Sequence, residues 1–264
     1  MTVADIIAQI ERVAPPETAA EWDNVGLQVG DRAEHVETVL VTLDVTPAVV
    51  DEATAVGAGL IVAHHPLIFE PLQALVADDP VAALAGRLLG LGISLYVAHT
   101  NLDAAPEIGT SAALFDALGL HNPRPLPEEG ELCAGAVGDL PEPLTAAGLA
   151  EHVARSLGAH GVRVVGPRGR PVRVVAVMPG SGGDAVRPAA RAGAEALVCG
   201  DLKHHDALDA LALGLVVLDA GHYATELPVV GRLARYLRES CGGAVAVKQS
   251  RVVTDPFADV DQSH

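Results

Sequence analysis

Residues 60–69 of this chain read LIVAHHPLIF, a short aliphatic run that ends in two histidines and a proline. Such a continuous apolar run predicts a strand that is covered on both faces, as in a parallel sheet flanked by helices. Pro66 restricts the backbone of the residue before it and ends the strand. We therefore expect His64 and His65 at the carboxyl end of a strand, which is where open α/β sheets bind ligands.

The same alternation continues along the chain. Short β-branched runs are separated by alanine- and leucine-rich stretches of helical length. This order indicates βαβ units and predicts an α/β fold with mostly parallel sheets. The predicted strands are 36–44, 60–64, 93–99, 172–178, 195–200 and 215–219, and the predicted helices are 47–57, 80–91, 110–119, 184–193, 204–213 and 225–240.

One change of composition divides the chain. Residues 121–131, HNPRPLPEEGE, place three prolines and a glycine among charges, which is typical of a connection. We therefore expect two α/β units, residues 1–125 and residues 126–264. The last predicted strand, within residues 244–253, is a candidate to return to the first unit.

Composition narrows the classes of function. The chain has 264 residues and a net charge of −17, so it lacks the excess cations that nucleic-acid binding requires. No apolar run approaches the roughly 20 residues that span a bilayer. The N-terminus lacks the basic segment of a signal peptide. Three widely spaced cysteines favour a reducing, cytoplasmic location.

Further candidate metal ligands follow other predicted strands. Asp103 lies in AHTNLDAA, and His222 and Glu226 in DAGHYATE are spaced to share one face of a helix. Together with the two histidines, they are about what two adjacent divalent ions need if one carboxylate bridges them. A nitrogen and oxygen set without thiolate suits zinc, iron or manganese. The predicted ligands of this dinuclear site are His64, His65, Asp103, His222 and Glu226.

Each of these stretches also has a simpler interpretation. Backbone hydrogen bonds could satisfy His64 and His65, and Asp103 could cap the next helix. His222 and Glu226 could be an exposed helical pair. The metal interpretation is favoured because three such stretches fall at carboxyl ends of predicted parallel strands.

Two more histidines are candidates for proton transfer. His99 ends a predicted strand before Asp103, and His205 lies in CGDLKHHDALDA, residues 199–210. In the same stretch Asp201 could cap a helix, and Lys203 could meet an anionic substrate. The glycine-rich residues 178–186 could cradle a phosphate or form a tight turn. Residues 21–30, EWDNVGLQVG, are interpreted as a structured loop.

Taken together, five stretches resemble the motifs of the Nif-three-like dinuclear metal centre family, whose members are often labelled GTP cyclohydrolase 1 type 2 homologues. The stretches are EWDNVGLQVG, AHHPLIF, AHTNLDAA, GDLKHHDALDA and DAGHYATE. The resemblance implies two interlinked α/β units and toroidal homohexamers whose metal sites face an inner cavity. It also implies that the five residues named above hold two metal ions. One departure is PEIGT at residues 106–110, where members often have G-G-V-N, which adds the carboxylate of Glu107.

These observations predict a metal-dependent hydrolase in which a metal-bridged hydroxide attacks carbon or phosphorus. The family label implies a nucleotide such as GTP as substrate, and a phosphoester or cyclic amide fits the ligand set as well. A different class of function is a non-catalytic metal-binding scaffold that supplies metal or binds a protein partner. Turnover and an open coordination position distinguish the two.

Overall fold

The strand that precedes His64 and His65 lies inside a mostly parallel sheet. The computed structural model describes residues 1–126 and 135–257. The strands of this first sheet are β1 (Gly26–Val29), β2 (Thr38–Thr42), β3 (Leu60–Ala63), β4 (Ser94–Val97) and β11 (Ala246–Gln249). Their order is β1-β4-β3-β2-β11, and every neighbouring pair is parallel except β1 with β4. The carboxyl ends of β2, β3 and β4 therefore meet at one edge of the sheet.

The helices α2 (Pro47–Ala55) and α3 (Pro80–Leu91) pack apolar residues into the core of this sheet. The same unit contains α1 (Val3–Glu11), α4 (Thr100–Asp103) and most of α10 (Pro228–Ser240). Thr2 and Asp5 form a capping box that starts α1. Leu40, Ile61 and Leu95 from the strands form a buried core with helix residues such as Leu88. Each fully buried aliphatic side chain stabilises the fold by about 1.5–3 kcal/mol.

The second sheet is mixed. Its strands are β5 (His121–Pro125), β6 (Ala136–Thr145), β7 (Arg163–Val165), β8 (Pro171–Ser181), β9 (Ala196–Gly200) and β10 (Val216–Asp219). The order is β5-β6-β8-β9-β10-β7, and parallel pairing is confined to β8 with β9 and β9 with β10. The helices that accompany this sheet are α5 (Thr110–Ala117), α6 (Ala146–Leu157), α7 (Val186–Arg191), α8 (His204–Ala212) and α9 (His222–Glu226).

The predicted α/β class is confirmed, and two stretches differ from their interpretation. Residues 21–30, predicted as a loop, contain the edge strand β1. Their Gly30 has φ +107° and packs against Ser94, where an added Cβ would lie 2.7 Å from the Cα of Ser94. Residues 121–131, predicted as a connection, begin with β5, because an antiparallel edge strand tolerates prolines. Residues 127–131 of that stretch lie outside the described part of the chain.

The chain forms two compact units, and the division between them differs from the predicted boundary. The first unit comprises Met1–Ile108 and Val230–Thr254, and the second comprises Gly109–Val229 and the C-terminal end from Asp255. The division falls after Ile108 and not near residue 125, because α5 buries Leu114 and Phe115 in the core of the second sheet. The strand β11 pairs in parallel with β2 of the first unit.

Throughout residues 1–126 and 135–257, each helix is too short or too polar to cross a lipid membrane.

Candidate metal centre

The two consecutive histidines continue the parallel ladder beyond β3. The backbone nitrogen of His64 donates to the oxygen of Thr42, and that of His65 donates to the oxygen of Leu43. The ring of His64 is buried, and its Nδ1 lies 3.0 Å from the backbone oxygen of Ala98. Because a carbonyl can only accept, Nδ1 of His64 is the donor, and the lone pair of the neutral ring is on Nε2.

His65 is oriented by a carboxylate that the sequence analysis did not select. Its Nδ1 lies 2.7 Å from Oδ1 of Asp44, the second residue after β2. The other carboxylate oxygen of Asp44 accepts a hydrogen bond from the hydroxyl of Thr254. An ionised carboxylate at this position holds the proton of His65 on Nδ1 and leaves Nε2 for other chemistry.

His99 is held in the same way by Asp23. Its Nδ1 lies 2.9 Å from Oδ1 of Asp23, whose Oδ2 accepts from the backbone nitrogen and the hydroxyl of Thr100. Burial alone would raise the pKa of Asp23, but the hydrogen bonds from His99 and Thr100 outweigh it and lower that pKa well below its ordinary value. Asp23 therefore stays ionised and fixes the His99 ring.

The first unit brings these imidazoles together. The ring centroids of His64 and His65 are 4.9 Å apart, and that of His99 lies 5.1 Å from His64 and 5.6 Å from His65. One ring nitrogen from each histidine lies within 4.8 Å of the others, so the three could hold one metal ion. Asp103, at the end of α4, places Oδ1 3.7 Å from Nε2 of His64.

The second unit carries the other predicted ligands on α9. Nε2 of His222 lies 3.0 Å from Oε2 of Glu226, as their spacing on a helix predicts. Nδ1 of His222 lies 2.8 Å from Oδ2 of Asp201. Asp201 has φ +48°, the left-handed backbone conformation that an aspartate adopts more readily than most residues. Asp201 thus orients His222, a role that differs from the predicted helix cap.

Glycines let the backbone approach α9 closely. An added Cβ at Gly180, which has φ +64°, would lie 2.2 Å from Oε1 of Glu226. One at Gly200 would lie 2.6 Å from the backbone nitrogen of His222. The backbone nitrogen of Gly180 also donates to the hydroxyl of Thr225. Gly180, in the glycine-rich stretch considered for phosphate, lies in β8 and allows close packing against the helix that carries His222 and Glu226.

His205, Lys203 and Glu107, the other candidates from the sequence, lie in separate surroundings. His205 is exposed near the start of α8, and its ring centroid lies 5.4 Å from that of His204. Lys203 is exposed, and its backbone nitrogen donates to Asp206. The backbone oxygen of Glu107 accepts from Arg232. Burial raises the pKa of the neighbouring Cys199 thiol above its ordinary value.

Four histidines, three in the first unit and one in the second, are each oriented as metal-binding histidines are. Each has Nδ1 against a backbone carbonyl or a carboxylate, an arrangement that metal-binding histidines almost always show because it directs Nε2 toward the ion. Asp23 and Asp44 were missed because their partners are distant in sequence. The signal that could have found Asp44 is its position directly after a strand that neighbours β3.

An Asp23→Asn substitution tests the charge behind His99. We expect the wild type to be more stable by about 2 kcal/mol near neutral pH, because the ionised carboxylate accepts several hydrogen bonds. Since folding lowers the pKa of Asp23, its contribution is full above the ordinary value of 3.8 and is lost as the pH falls below it. Urea unfolding of both proteins at about pH 6 and pH 3 measures this. A difference in stability that does not change with pH would contradict it.

An α/β fold with histidines and carboxylates at the carboxyl ends of its strands defines a class of candidate metalloproteins. Comparison with known proteins gives the family. Residues 1–256 match the family model described as Duf34/NIF3 (NGG1p interacting factor 3). The chain therefore belongs to the DUF34/NIF3 family.

Individual relatives agree with this assignment. The chain is 33% identical over 260 residues to a Clostridium perfringens protein named GTP cyclohydrolase 1 type 2 homolog, covering 97% of this chain and 99% of the relative. It is 38% identical over 266 residues to a Streptomyces coelicolor protein of the same name, covering 97% and 93%. A crystal structure of a Bacillus cereus protein related to NIF3 superposes with a TM-score of 0.92 at 29% identity, covering 98% and 99%.

Proposed function

We propose that this protein is a metal-dependent hydrolase with a dinuclear metal centre. The observation that carries the proposal is the shared orientation of His64, His65 and His222, each with Nδ1 held and Nε2 directed away from its acceptor. Imidazole and carboxylate ligands without thiolate suit zinc, iron or manganese. The proposed ligands are His64, His65 and Asp103 of the first unit and His222 and Glu226 of the second.

The chain's own residues supply positioning and proton transfer. Two divalent ions, when bound, would supply a water of lowered pKa and stabilise an oxyanion. His99 would accept or return a proton at Nε2, because Asp23 holds its Nδ1 proton and keeps the ring in one tautomer. His205, exposed near the start of α8, is the second candidate for proton transfer.

The names of the relatives and the net charge of the chain bear on the class of substrate. Proteins similar to this chain are named GTP cyclohydrolase 1 type 2 homologs, which supports a nucleotide as one substrate to test. A net charge of −17 repels a triphosphate at long range, so phosphoesters of lower charge belong in the same panel. The proposal includes assembly as a homohexamer and a cytoplasmic location.

The test measures metal content and turnover on one sample. Protein purified without chelator is analysed for metal per chain by elemental mass spectrometry and assayed with GTP and phosphoesters. We expect about two ions per chain and turnover in the wild type. Asp103→Ala is expected to lose metal and activity together, while Asp51→Ala, which removes an exposed carboxylate paired with Arg87, should change neither.

His99→Gln separates proton transfer from metal binding. It is expected to keep the metal content and lose activity by about a hundredfold or more. A fall in metal content would make His99 a ligand instead. Two ions per chain without turnover on any substrate would favour the non-catalytic scaffold. Less than about half an ion per chain, unchanged by Asp103→Ala, would contradict the ligand assignment.

A further inference from the structure

Two exposed aromatic rings lie against each other in the first unit, and one of them, Trp22, contacts His99. Trp22 is 53% exposed and Phe69 is 46% exposed, although large aromatic side chains are usually well buried. Their ring centroids are 6.0 Å apart at an angle of 55°. The Trp22 and His99 rings also form a T-shaped pair, with centroids 6.4 Å apart and an interplanar angle of 73°. The rings thus form an accessible aromatic surface next to a proposed catalytic residue.

The loop that carries Trp22 is fixed on both sides. Asp23, the next residue, binds His99 and Thr100 through its carboxylate. The backbone nitrogen of Ala20 donates to the hydroxyl of Thr100 at 3.0 Å, and the backbone nitrogen of Asp23 donates to the oxygen of Ala20. Trp22 therefore stays exposed on a backbone that hydrogen bonds hold in place.

The loop that carries Phe69 is tied to the same region. The backbone nitrogen of Ile68 donates to Oε1 of Gln28 at 2.9 Å. The backbone oxygen of Ile68 accepts from Nε2 of Gln28 and from Nδ2 of Asn24. Because these bonds join the two loops directly beside the rings, Trp22 and Phe69 are positioned before any ligand binds. Preorganised groups of this kind lose little entropy on binding.

We propose that Trp22 and Phe69 form a stacking surface for the planar heteroaromatic ring of a substrate. The position beside His99 links this surface to the reaction, so the inference rests in that respect on the proposed hydrolase. Stacking on aromatic side chains is worth on the order of tenfold in affinity or more per base. The neighbouring Glu21 and Glu70 are exposed and negatively charged, which favours a ring that bears N–H donors, such as an aminopurine or a pterin.

Trp22 reports on its own occupancy because it is the chain's only tryptophan. Guanosine monophosphate is titrated into the full-length protein, both as purified and after dialysis against chelator, with ribose 5-phosphate as the ring-free control. We expect saturable quenching of fluorescence by the nucleotide in both samples and none by the sugar phosphate. Phe69→Leu should lower the affinity for the nucleotide about tenfold. Phe257→Leu changes a ring that is 83% exposed in the other unit, and this control should leave the nucleotide affinity unchanged.

Calorimetry on Trp22 variants completes the test. Trp22→Phe keeps an aromatic face and is expected to bind within about threefold of wild type, whereas Trp22→Leu should lose tenfold or more. No saturable quenching, or equal affinity in Trp22→Leu, overturns the stacking surface. Metal content and turnover on phosphoesters are measured separately. Nucleotide binding without metal or turnover would support the stacking surface and contradict the proposed hydrolase. Turnover without nucleotide binding would support the hydrolase and contradict the stacking surface.

Discussion

A Gly200→Ala variant is expected to lose about 3 kcal/mol of unfolding free energy and to bind less metal through the proposed ligands of the second unit. An added Cβ at Gly200 would lie 2.6 Å from the backbone carbon of Gly221 and the backbone nitrogen of His222, and 2.7 Å from the backbone oxygen of Gly180. Contacts this short with backbone atoms cannot be relieved by rotating a side chain. Either β9 or the segment that carries His222 must therefore move.

Urea unfolding and elemental analysis of the same preparation measure both effects. The matched control is Gly169→Ala in the second unit, because an added Cβ there meets nothing within 4 Å. This control should stay within about 0.5 kcal/mol of the wild type. Equal stability and metal content in Gly200→Ala and Gly169→Ala would mean that β9 and the start of α9 do not pack as closely as described.

An Asp44→Ala variant is expected to bind metal about 10–100-fold more weakly, although Asp44 is not a proposed ligand. Its carboxylate receives the Nδ1 proton of His65, which fixes the ring and raises the basicity of Nε2. Without it the ring can rotate and change tautomer, so part of the free energy of metal binding is spent on ordering His65.

The affinity is measured by competition between the protein and a chromophoric chelator for zinc. Asp51→Ala is the matched control, since it removes an exposed aspartate on α2 that pairs with Arg87 on α3. Thermal unfolding of both variants separates loss of fold from loss of affinity. If Asp44→Ala binds zinc as tightly as Asp51→Ala, the carboxylate that holds Nδ1 of His65 has no role in the proposed metal centre.

Much of the fold could be predicted from local patterns. The aliphatic runs at β2, β3, β4, β9 and β10 and the helix α3 all lie where the sequence placed them, because buried parallel strands and amphipathic helices have their own periodicity. The edge strands β1 and β5 were missed. They contain glycine or proline and few apolar residues, and their pairing depends on neighbours distant in sequence.

The candidate site was predictable only in part. The residues that stand in distinctive motifs, such as the His64–His65 pair, were found from the sequence. The carboxylates behind the imidazoles were not, since Asp23 and His99 are separated by 76 positions and Asp44 and His65 by 21. Asp201 was predicted to cap a helix, but its carboxylate holds His222 instead. The residues around it in the sequence do not reveal its left-handed backbone conformation.

The sequence by itself determined the α/β class, the family resemblance and the types of candidate ligand, because these depend on short periodic runs and on the chemistry of single residues. The tertiary structure decided which nitrogen of each histidine is held, which glycines must lack a Cβ, and that the exposed Trp22 ring contacts both Phe69 and His99. Those features arise where strands and loops meet in space. Their geometry depends on sheet register and close packing, which no local pattern encodes.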